Sequence, residues 1–188
     1  MRRAIYLILF CVISAMGSGC SLMAPQYNPS IDNVQKLKDA GELSAKIGTF
    51  DSAKDPANAN PISLRGSSLS SPYQASYAAY LAEALKQEMS LAGKYNAGAS
   101  AEVSGVLLKN DLDSSGISLG VGDIQARFIV TAAGQIKYDQ VKTARHDWES
   151  SFVGAIAIPR AQQEYPRLVQ KLLAMLFSDA GFVQALRP

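Results

Sequence analysis

The chain of 188 residues has little of what metal sites, disulfide frameworks and nucleic-acid interfaces require. Two cysteines and one histidine leave too few ligands and thiols for a metal centre or a set of disulfide bonds. A formal net charge of only +2, from 18 basic and 16 acidic residues, argues against a nucleic-acid-binding protein, which usually has a strong basic excess. Hydrophobic residues nevertheless make up 48% of the chain, which excludes a largely disordered protein and supports one folded domain.

The N-terminal apolar run is also too short to be a permanent transmembrane helix. It follows Arg2 and Arg3, and the uncharged aliphatic part covers residues 4–13. A spanning helix needs roughly 20 such residues. Small residues then lead to the sequence Gly17-Ser18-Gly19-Cys20, and this order of a basic start, a short apolar run and small residues is typical of a secretory signal peptide.

The end of that segment resembles the lipobox of bacterial lipoproteins, in which the cysteine is acylated and becomes the first mature residue. The small residues Ser18 and Gly19 match the motif, and Gly17 stands where the family usually has leucine. The resemblance implies a cleaved signal peptide at residues 1–19 and a lipid on Cys20. An ordinary signal peptide, cleaved nearby to leave a free thiol on Cys20, is the alternative.

The residue after the cysteine implies a location. Gram-negative lipoproteins, which the segment resembles, tend to stay at the inner membrane when aspartate follows the cysteine, and here the residue is Ser21. The resemblance therefore implies the outer membrane, with the protein facing the periplasm.

Arg2 and Arg3 account for the whole basic excess, and residues 1–19 contain no acid, so residues 20–188 have a formal charge of zero. We therefore expect the lipid, and not the net charge, to bind the membrane.

The remaining chain divides into a tether and a domain. Residues 20–42 are polar and contain Pro25 and Pro29, which predicts a lipidated N-terminus followed by a flexible tether. Residues 43–188 are predicted to form the periplasmic domain, which begins with a strand at residues 43–50. Residues 65–71 are expected to be a flexible lead into a helix, with Ser71 as its N-cap and Pro72 at its first position.

Two apolar stripes at spacings of three and four predict two amphipathic helices. The stripe of the first helix consists of Tyr77, Tyr80, Leu81, Ala84, Leu85 and Met89. We interpret this tyrosine-rich stripe as a packing surface and not as a ligand-binding face. The stripe of the second helix consists of Tyr165, Leu168, Val169, Leu172, Leu173, Leu176 and Phe177. Residues 152–158 are expected to be a connection that precedes this helix.

Between the two helices, residues 102–112, 123–133 and 136–151 predict three strands. The order is thus strand, helix, three strands, helix. One antiparallel sheet of about four strands, with both helices packed on one face, would bury both stripes together. We therefore predict a single domain of the α+β class.

With these elements behind a lipobox, the chain resembles the YajG-like family of small Gram-negative outer-membrane lipoproteins. The resemblance is densest in residues 80–85, 124–131 and 148–186, which are core and turn patterns. It implies an α+β lipoprotein domain without a defined active site. A looser likeness, in architecture alone, is to LptE, the lipoprotein that assists lipopolysaccharide insertion, and to auxiliary lipoproteins of envelope ABC transporters.

The only histidine, His146, lies between carboxylates in the sequence Arg145-His146-Asp147-Trp148-Glu149. A general base is one interpretation. Strand alternation, however, places His146 on the face opposite Asp147 and Glu149, so neither carboxylate would orient the ring. We therefore predict no enzymatic activity, no metal and no cofactor, and we interpret His146 as a sheet residue packed beside Trp148.

Four basic side chains on the last two strands are the candidate binding face: Arg127, Lys137, Lys142 and Arg145. Such a face suits anionic lipid A or a protein partner, although a charged strand face is more often simply the hydrated side of a sheet. The sequence thus predicts a non-enzymatic outer-membrane lipoprotein that acts as an accessory or assembly factor by binding an envelope component. An LptE-like factor for lipopolysaccharide handling or envelope transport is the alternative, and a periplasmic hydrolase that uses His146 is a remote one.

Overall fold

The computed structural model describes residues 21–188, and in these residues the fold is α+β, as predicted. The strands are β1 (Ser21–Met23), β2 (Lys46–Ser52), β3 (Ile62–Leu64), β4 (Ser67–Ser70), β5 (Ala101–Asp113), β6 (Leu119–Ala132) and β7 (Gln135–Glu149). The helices are α1 (Ile31–Asp39), α2 (Tyr77–Leu91), α3 (Gly154–Phe177) and α4 (Ala180–Ala185). The predicted signal peptide and Cys20 lie outside the described residues.

The larger sheet has the strand order β2-β5-β6-β7. Strands β5, β6 and β7 form an antiparallel meander, in agreement with the antiparallel sheet predicted. Strand β2 instead pairs with β5 in parallel, because the chain passes through α2 between the two strands and returns in the same direction. The sheet is therefore mixed, which differs from the antiparallel sheet predicted for all strands.

Both long helices cover one face of this sheet, as predicted. Helix α2 packs on β2 and β5, and α3 packs on β6 and β7. The covered face of β6 is fully buried at Ile124, Ala126, Phe128 and Val130, which alternate with more exposed residues. The other face of the meander is open to solvent.

The tyrosine stripe of α2 is confirmed as a packing surface. Tyr77 and Tyr80 are fully buried, and their ring centroids lie 4.9 and 5.0 Å from that of Tyr165 in α3. The hydroxyl of Tyr77 donates to the carbonyl oxygen of Leu69, and that of Tyr80 donates to the carbonyl oxygen of Pro25. The stripe therefore joins the two helices to the N-terminal part of the chain.

Helix α3 begins earlier than its apolar stripe indicated. Residues 154–158, which were expected to be part of a connection, form its first turns, and Pro159 and Pro166 lie inside the helix. A proline in a helix removes one backbone hydrogen bond and usually kinks or ends the helix. Ala157 and Ala161, which flank Pro159, are nevertheless fully buried, so the helix packs on the domain along this stretch.

Residues 21–42 pack on the domain, which differs from the flexible tether that their composition predicted. Strand β1 pairs with β4 in parallel and thereby joins a small sheet of order β1-β4-β3. Ala24, Tyr27 and Leu37 are buried in the same core as the main sheet. These buried side chains and the hydrogen bonds of β1 hold residues 21–42 on the domain, although the segment contains Pro25 and Pro29.

Candidate functional site

The open face of the sheet carries two of the predicted binding residues, Arg127 and Arg145, but both are paired with acids. Arg127 donates two hydrogen bonds to Asp139, at 2.6 and 2.5 Å. Arg145 contacts Asp147 at 3.1 Å and Asp123 at 3.6 Å. The hydrogen bond from Arg127 holds the pKa of the Asp139 carboxyl below its usual range. Because opposite charges alternate across this face, it has little excess positive charge to offer an anion.

The other two predicted residues do not share that face. Lys142 pairs with the buried Ala126, so its side chain lies on the helix-covered side of β7, where it donates to Asp179 at 2.5 Å. The hydrogen bond from Lys142 is the main cause that lowers the pKa of Asp179 to about 2. Lys137 lies near the start of β7 and donates to the side chain of Gln135 at 3.0 Å. The four cations therefore do not form the single binding face that we predicted.

His146 lies beside Trp148, as predicted, with ring centroids 5.9 Å apart. It also contacts a carboxylate from another element, since its Nε2 atom lies 2.8 Å from Oε2 of Glu164 in α3. Arg167 holds the same carboxylate from the next turn, with Nη1 at 3.1 Å from both oxygens. The buried Nδ1 atom of His146 has no hydrogen-bond partner among the described residues.

This histidine borders an open cleft of about 410 Å³ between α1, α3 and β7. The cleft is lined by Ser30, Asp32, Asn33, Lys36, His146, Arg167, Gln170, Lys171 and Ala174. Three of these residues, Lys36, Arg167 and Lys171, are cationic, and Asp32 is the acid among them. The described residues thus place a small excess of positive charge in a concave surface, away from the face where the sequence predicted it.

A buried carboxylate binds the N-terminal segment to α2. Glu88 is fully buried, and its Oε1 atom accepts from the Tyr27 hydroxyl at 2.5 Å, the Ser30 backbone N–H at 2.9 Å and the Asn33 amide at 3.2 Å. Its Oε2 atom has no partner among the described residues. Burial raises the pKa of Glu88, although the three donors oppose that shift. The segment from Tyr27 to Asn33 is thus held on a single oxygen atom.

One end of the domain carries an exposed group of hydrophobic side chains, which we call the apolar end. It consists of Ile117, Leu119, Phe152, Val153 and Ile156, each more than half exposed. They lie in and beside the β5–β6 and β7–α3 loops, which are joined by a 2.8 Å hydrogen bond from Ser150 N–H to the Ser118 carbonyl oxygen.

The guanidinium of Arg65 fastens these two loops together. Its Nε donates to the carbonyl oxygen of Ser114 at 2.6 Å, and its two Nη atoms donate to those of Gly116, Ser151 and Phe152 at 2.7–3.0 Å. Arg65 and Gly66 form the two-residue turn between β3 and β4, each with a positive φ, of 47° and 84°. Residues 65–71 are therefore a turn and a strand that support the apolar end, and not a flexible lead.

The first described residue lies near the same end. Ser21 pairs with Ser68 of β4, next to the turn that carries Arg65. Farther along, the Gln162 amide donates to the Met23 carbonyl oxygen at 2.6 Å, and the Gln170 amide donates to that of Asn28 at 2.7 Å. The chain from Met23 to Asn28 therefore runs alongside α3 in the same direction, and its N-terminal end points toward the beginning of α3.

Sequence reasoning missed Glu164, Arg167, Glu88 and Arg65 as partners at these sites. The spacing of Glu164 and Arg167 is that of an ion pair on one helix face, so it was the signal available for this pair. The exposed apolar run at residues 152–156 was visible but had been interpreted as a simple connection. No local pattern marked Glu88 or Arg65, since their partners lie far away along the chain.

No protein-family model matches the chain, and no curated protein matches it in sequence. Among solved structures, protein XCC0632 of Xanthomonas campestris, assigned to the family DUF330, aligns with a TM-score of 0.56 and 12% identity, over 87% of this chain and 96% of that one. The hypothetical protein CT253 of Chlamydia trachomatis aligns with a TM-score of 0.52 and 10% identity, over 77% of this chain and 99% of that one. A provisionally named lipoprotein of Caulobacter crescentus aligns with a TM-score of 0.45 and 12% identity, over 82% and 96% of the two chains.

The first two similarities show that this fold occurs in other bacterial proteins, and at these identities they show the fold alone. The YajG-like resemblance remains a prediction. Within residues 21–188, none of the helices combines the length and the hydrophobicity that crossing a bilayer requires.

Proposed function

We propose that this protein is a non-enzymatic lipoprotein of the outer membrane, anchored by a lipid on Cys20, whose periplasm-facing domain acts as an accessory or assembly factor for another envelope component. The observation that carries the proposal is the cysteine after Gly17-Ser18-Gly19, directly before the first residue of β1. A lipid at that position would attach to the folded domain itself, with no flexible chain between them. The domain would then lie at the membrane surface.

The anchor predicts a large effect of Cys20→Ser. The variant should lose incorporation of labelled palmitate and leave the outer-membrane fraction, because Cys20 is the only cysteine in residues 20–188. Cys11→Ser is the matched control, since Cys11 lies in the apolar run that processing removes, and it should label and fractionate as the unmodified protein does. Outer-membrane fractionation of an unlabelled Cys20→Ser protein would show that something other than this lipid anchors it.

The arrangement around His146 supports a non-enzymatic role. Its Nε2 faces a carboxylate that Arg167 also holds, and the described residues place no hydroxyl or thiol within hydrogen-bond distance of Nδ1. A nucleophile activated by this histidine would need such a group beside the free ring nitrogen. We therefore interpret the His146–Glu164 contact as one that fastens α3 to β7.

A lipopolysaccharide-handling role, similar to that of LptE, is the second candidate. The observation that favours it is the cleft, whose lining contains Lys36 and Lys171 but only one acid, Asp32, so that a phosphate-bearing lipid would meet more cations than acids there. The double variant Lys36→Glu/Lys171→Glu should then bind lipopolysaccharide at least about tenfold more weakly, which corresponds to roughly 1.4 kcal/mol.

The control for that experiment is Lys137→Glu, which reverses a predicted binding residue outside the cleft and should leave lipopolysaccharide binding unchanged. Equilibrium binding of labelled lipopolysaccharide measures both variants, and circular dichroism checks their folds. Equal affinity of the cleft variant and the unmodified protein would remove this candidate.

A further inference from the structure

We propose that the apolar end docks on the lipid surface into which Cys20 is anchored, so that the domain lies on the membrane in one orientation. The inference rests on the proposed lipid anchor and adds a second, non-covalent contact between the protein and the bilayer. Its occupant is the lipid of the anchoring membrane, and a protein partner or a second copy of the chain is an outcome that the experiment must separate.

The apolar end is the first reason. Ile117 and Phe152 are 74% and 75% exposed, and Leu119, Val153 and Ile156 are each exposed by 52–54%. Single exposed hydrophobic residues are common, whereas several on two adjoining loops mark an interaction surface. Arg65 holds the backbones of both loops, so these side chains are presented together from an ordered support.

The position of Cys20 identifies the membrane as the surface that meets them. Ser21 pairs with Ser68, and strand geometry places it within about 15 Å of Arg65, whose guanidinium contacts the Phe152 backbone. Cys20 is one peptide bond from Ser21, so a lipid on its side chain would enter the bilayer beside the apolar end. A flexible tether would have let the lipid lie far from the apolar end. The observed packing of residues 21–42 instead holds Ser21 near that end.

The direction of residues 23–28 also indicates that the chain toward Cys20 leaves the domain at the apolar end. Residues 23–28 follow α3 from Gln162 to Gln170, and extension of this path toward Cys20 leads to the first turns of α3. Val153 and Ile156 lie at that end of the helix. Two separate sets of contacts, from β4 and from α3, therefore place Ser21, the residue that follows the predicted anchor, at the same end of the domain as the exposed hydrophobic side chains.

Charge indicates what kind of lipid contact this is. The five side chains are uncharged, and the nearby Arg160 and Glu149 neutralise each other at 3.7 Å. Residues 20–188 have no formal net charge, so net charge supplies no long-range attraction to anionic lipid. We therefore expect insertion of apolar side chains at the level of the lipid headgroups and upper acyl chains, independent of salt. The anchor keeps the local concentration of this surface high, so a weak contact suffices.

Brominated lipids, which quench tryptophan within the acyl region, test the orientation. The variant Phe152→Trp is compared with Ile136→Trp. Ile136 is also well exposed and lies at the other end of the sheet, about 40 Å along β7. Both retain the buried Trp148, whose emission in the unmodified protein supplies the background. The full-length proteins are purified from membranes, checked by circular dichroism and placed in phosphatidylethanolamine–phosphatidylcholine vesicles.

We expect Phe152→Trp to lose roughly half of its added emission to lipids brominated in the upper acyl chain, at low and high salt alike, and Ile136→Trp to lose none. If the protein is bound to the vesicles but the added tryptophan emission of Phe152→Trp is not quenched, the docking proposal is overturned and the anchor proposal stands. Equal quenching of both variants would also overturn it, because the domain would have no fixed orientation. A blue shift of Phe152→Trp with protein concentration in detergent, without quenching in vesicles, would assign the apolar end to self-association instead.

Failure of the anchor gives a different result. Mass spectrometry of the Cys20 peptide would then show no acyl group, and the purified protein would not float with vesicles. In that case the same vesicles are added to the unlipidated protein. Saturable quenching of Phe152→Trp alone would support docking without the lipid, and its absence would overturn the docking proposal together with the anchor.

Discussion

Glu88→Ala is expected to lower the free energy of unfolding by about 3–5 kcal/mol and to release the N-terminal segment from the domain. The substitution removes the one oxygen that accepts from Tyr27, Ser30 and Asn33. It leaves the Tyr27 hydroxyl and the Ser30 N–H without this acceptor, whereas the Asn33 amide keeps its hydrogen bond to the Gln170 carbonyl oxygen. It also creates a cavity at a fully buried position of α2. Urea unfolding measures the stability, and amide exchange of residues 21–40 measures the release.

Glu88→Gln is the matched control, because its amide oxygen can still accept from the three donors. The raised pKa of Glu88 in the folded protein means that its stabilising contribution is complete below the unfolded pKa, near 4.5, and is lost as pH rises through the folded value. We expect the glutamine variant to lack this loss, so that its stability relative to the unmodified protein increases from about pH 4.5 upward. A glutamine variant as unstable as Glu88→Ala at neutral pH would show that the ionised carboxylate itself holds the segment.

Arg65→Asn is expected to destabilise the protein by about 2 kcal/mol and to speed amide exchange in residues 114–118 and 150–153. The side chain makes four hydrogen bonds to carbonyl oxygens of the two loops, and asparagine cannot reach them. Asparagine is, however, favoured over arginine at a turn position with positive φ. The turn itself should therefore persist, and the loss of stability would come from the two loops that the guanidinium no longer holds.

The control for Arg65 is Arg145→Asn, which removes an arginine from exposed ion pairs on the open face. Its stability should change by no more than about 0.5 kcal/mol, because exposed pairs contribute little. Loop amides in Arg65→Asn that exchange as slowly as in the unmodified protein would contradict the role assigned to the guanidinium. Loss of this support should also reduce lipid quenching of Phe152→Trp, because the apolar end would no longer be presented as one surface.

The helices and the meander were predictable because their signals are local. The stripe from Tyr77 to Met89 and the alternation from Ile124 to Val130 report which side of each element is buried. Element boundaries were less predictable. The signals at Ser71 and Pro72 resemble a helix start, but Gln74 and Ala75 have positive φ, and α2 begins at Tyr77 with Ser76 as its N-cap.

The candidate site was predicted less well than the fold. Strand alternation correctly places Arg127 and Arg145 on the open face, yet their acidic partners neutralise them there. Lys142 is an even number of residues from Tyr138, so alternation alone would have placed it on the covered side, where the structure has it. The order of strands does not tell which carboxylate meets which cation, because those pairs form across neighbouring strands and helices.

The sequence by itself determined the periodic elements, the absence of net charge beyond residue 19 and the single histidine and cysteine that restrict chemistry in residues 20–188. Tertiary structure decided the parallel position of β2, the packing of residues 21–42 and the grouping of the exposed hydrophobic residues. These features depend on contacts such as Ser30 to Glu88 and Arg65 to Ser151, which join residues 58 and 86 positions apart. Periodicity records only which side of an element is buried, whereas the partner of a buried carboxylate or guanidinium is set by how the elements meet in space.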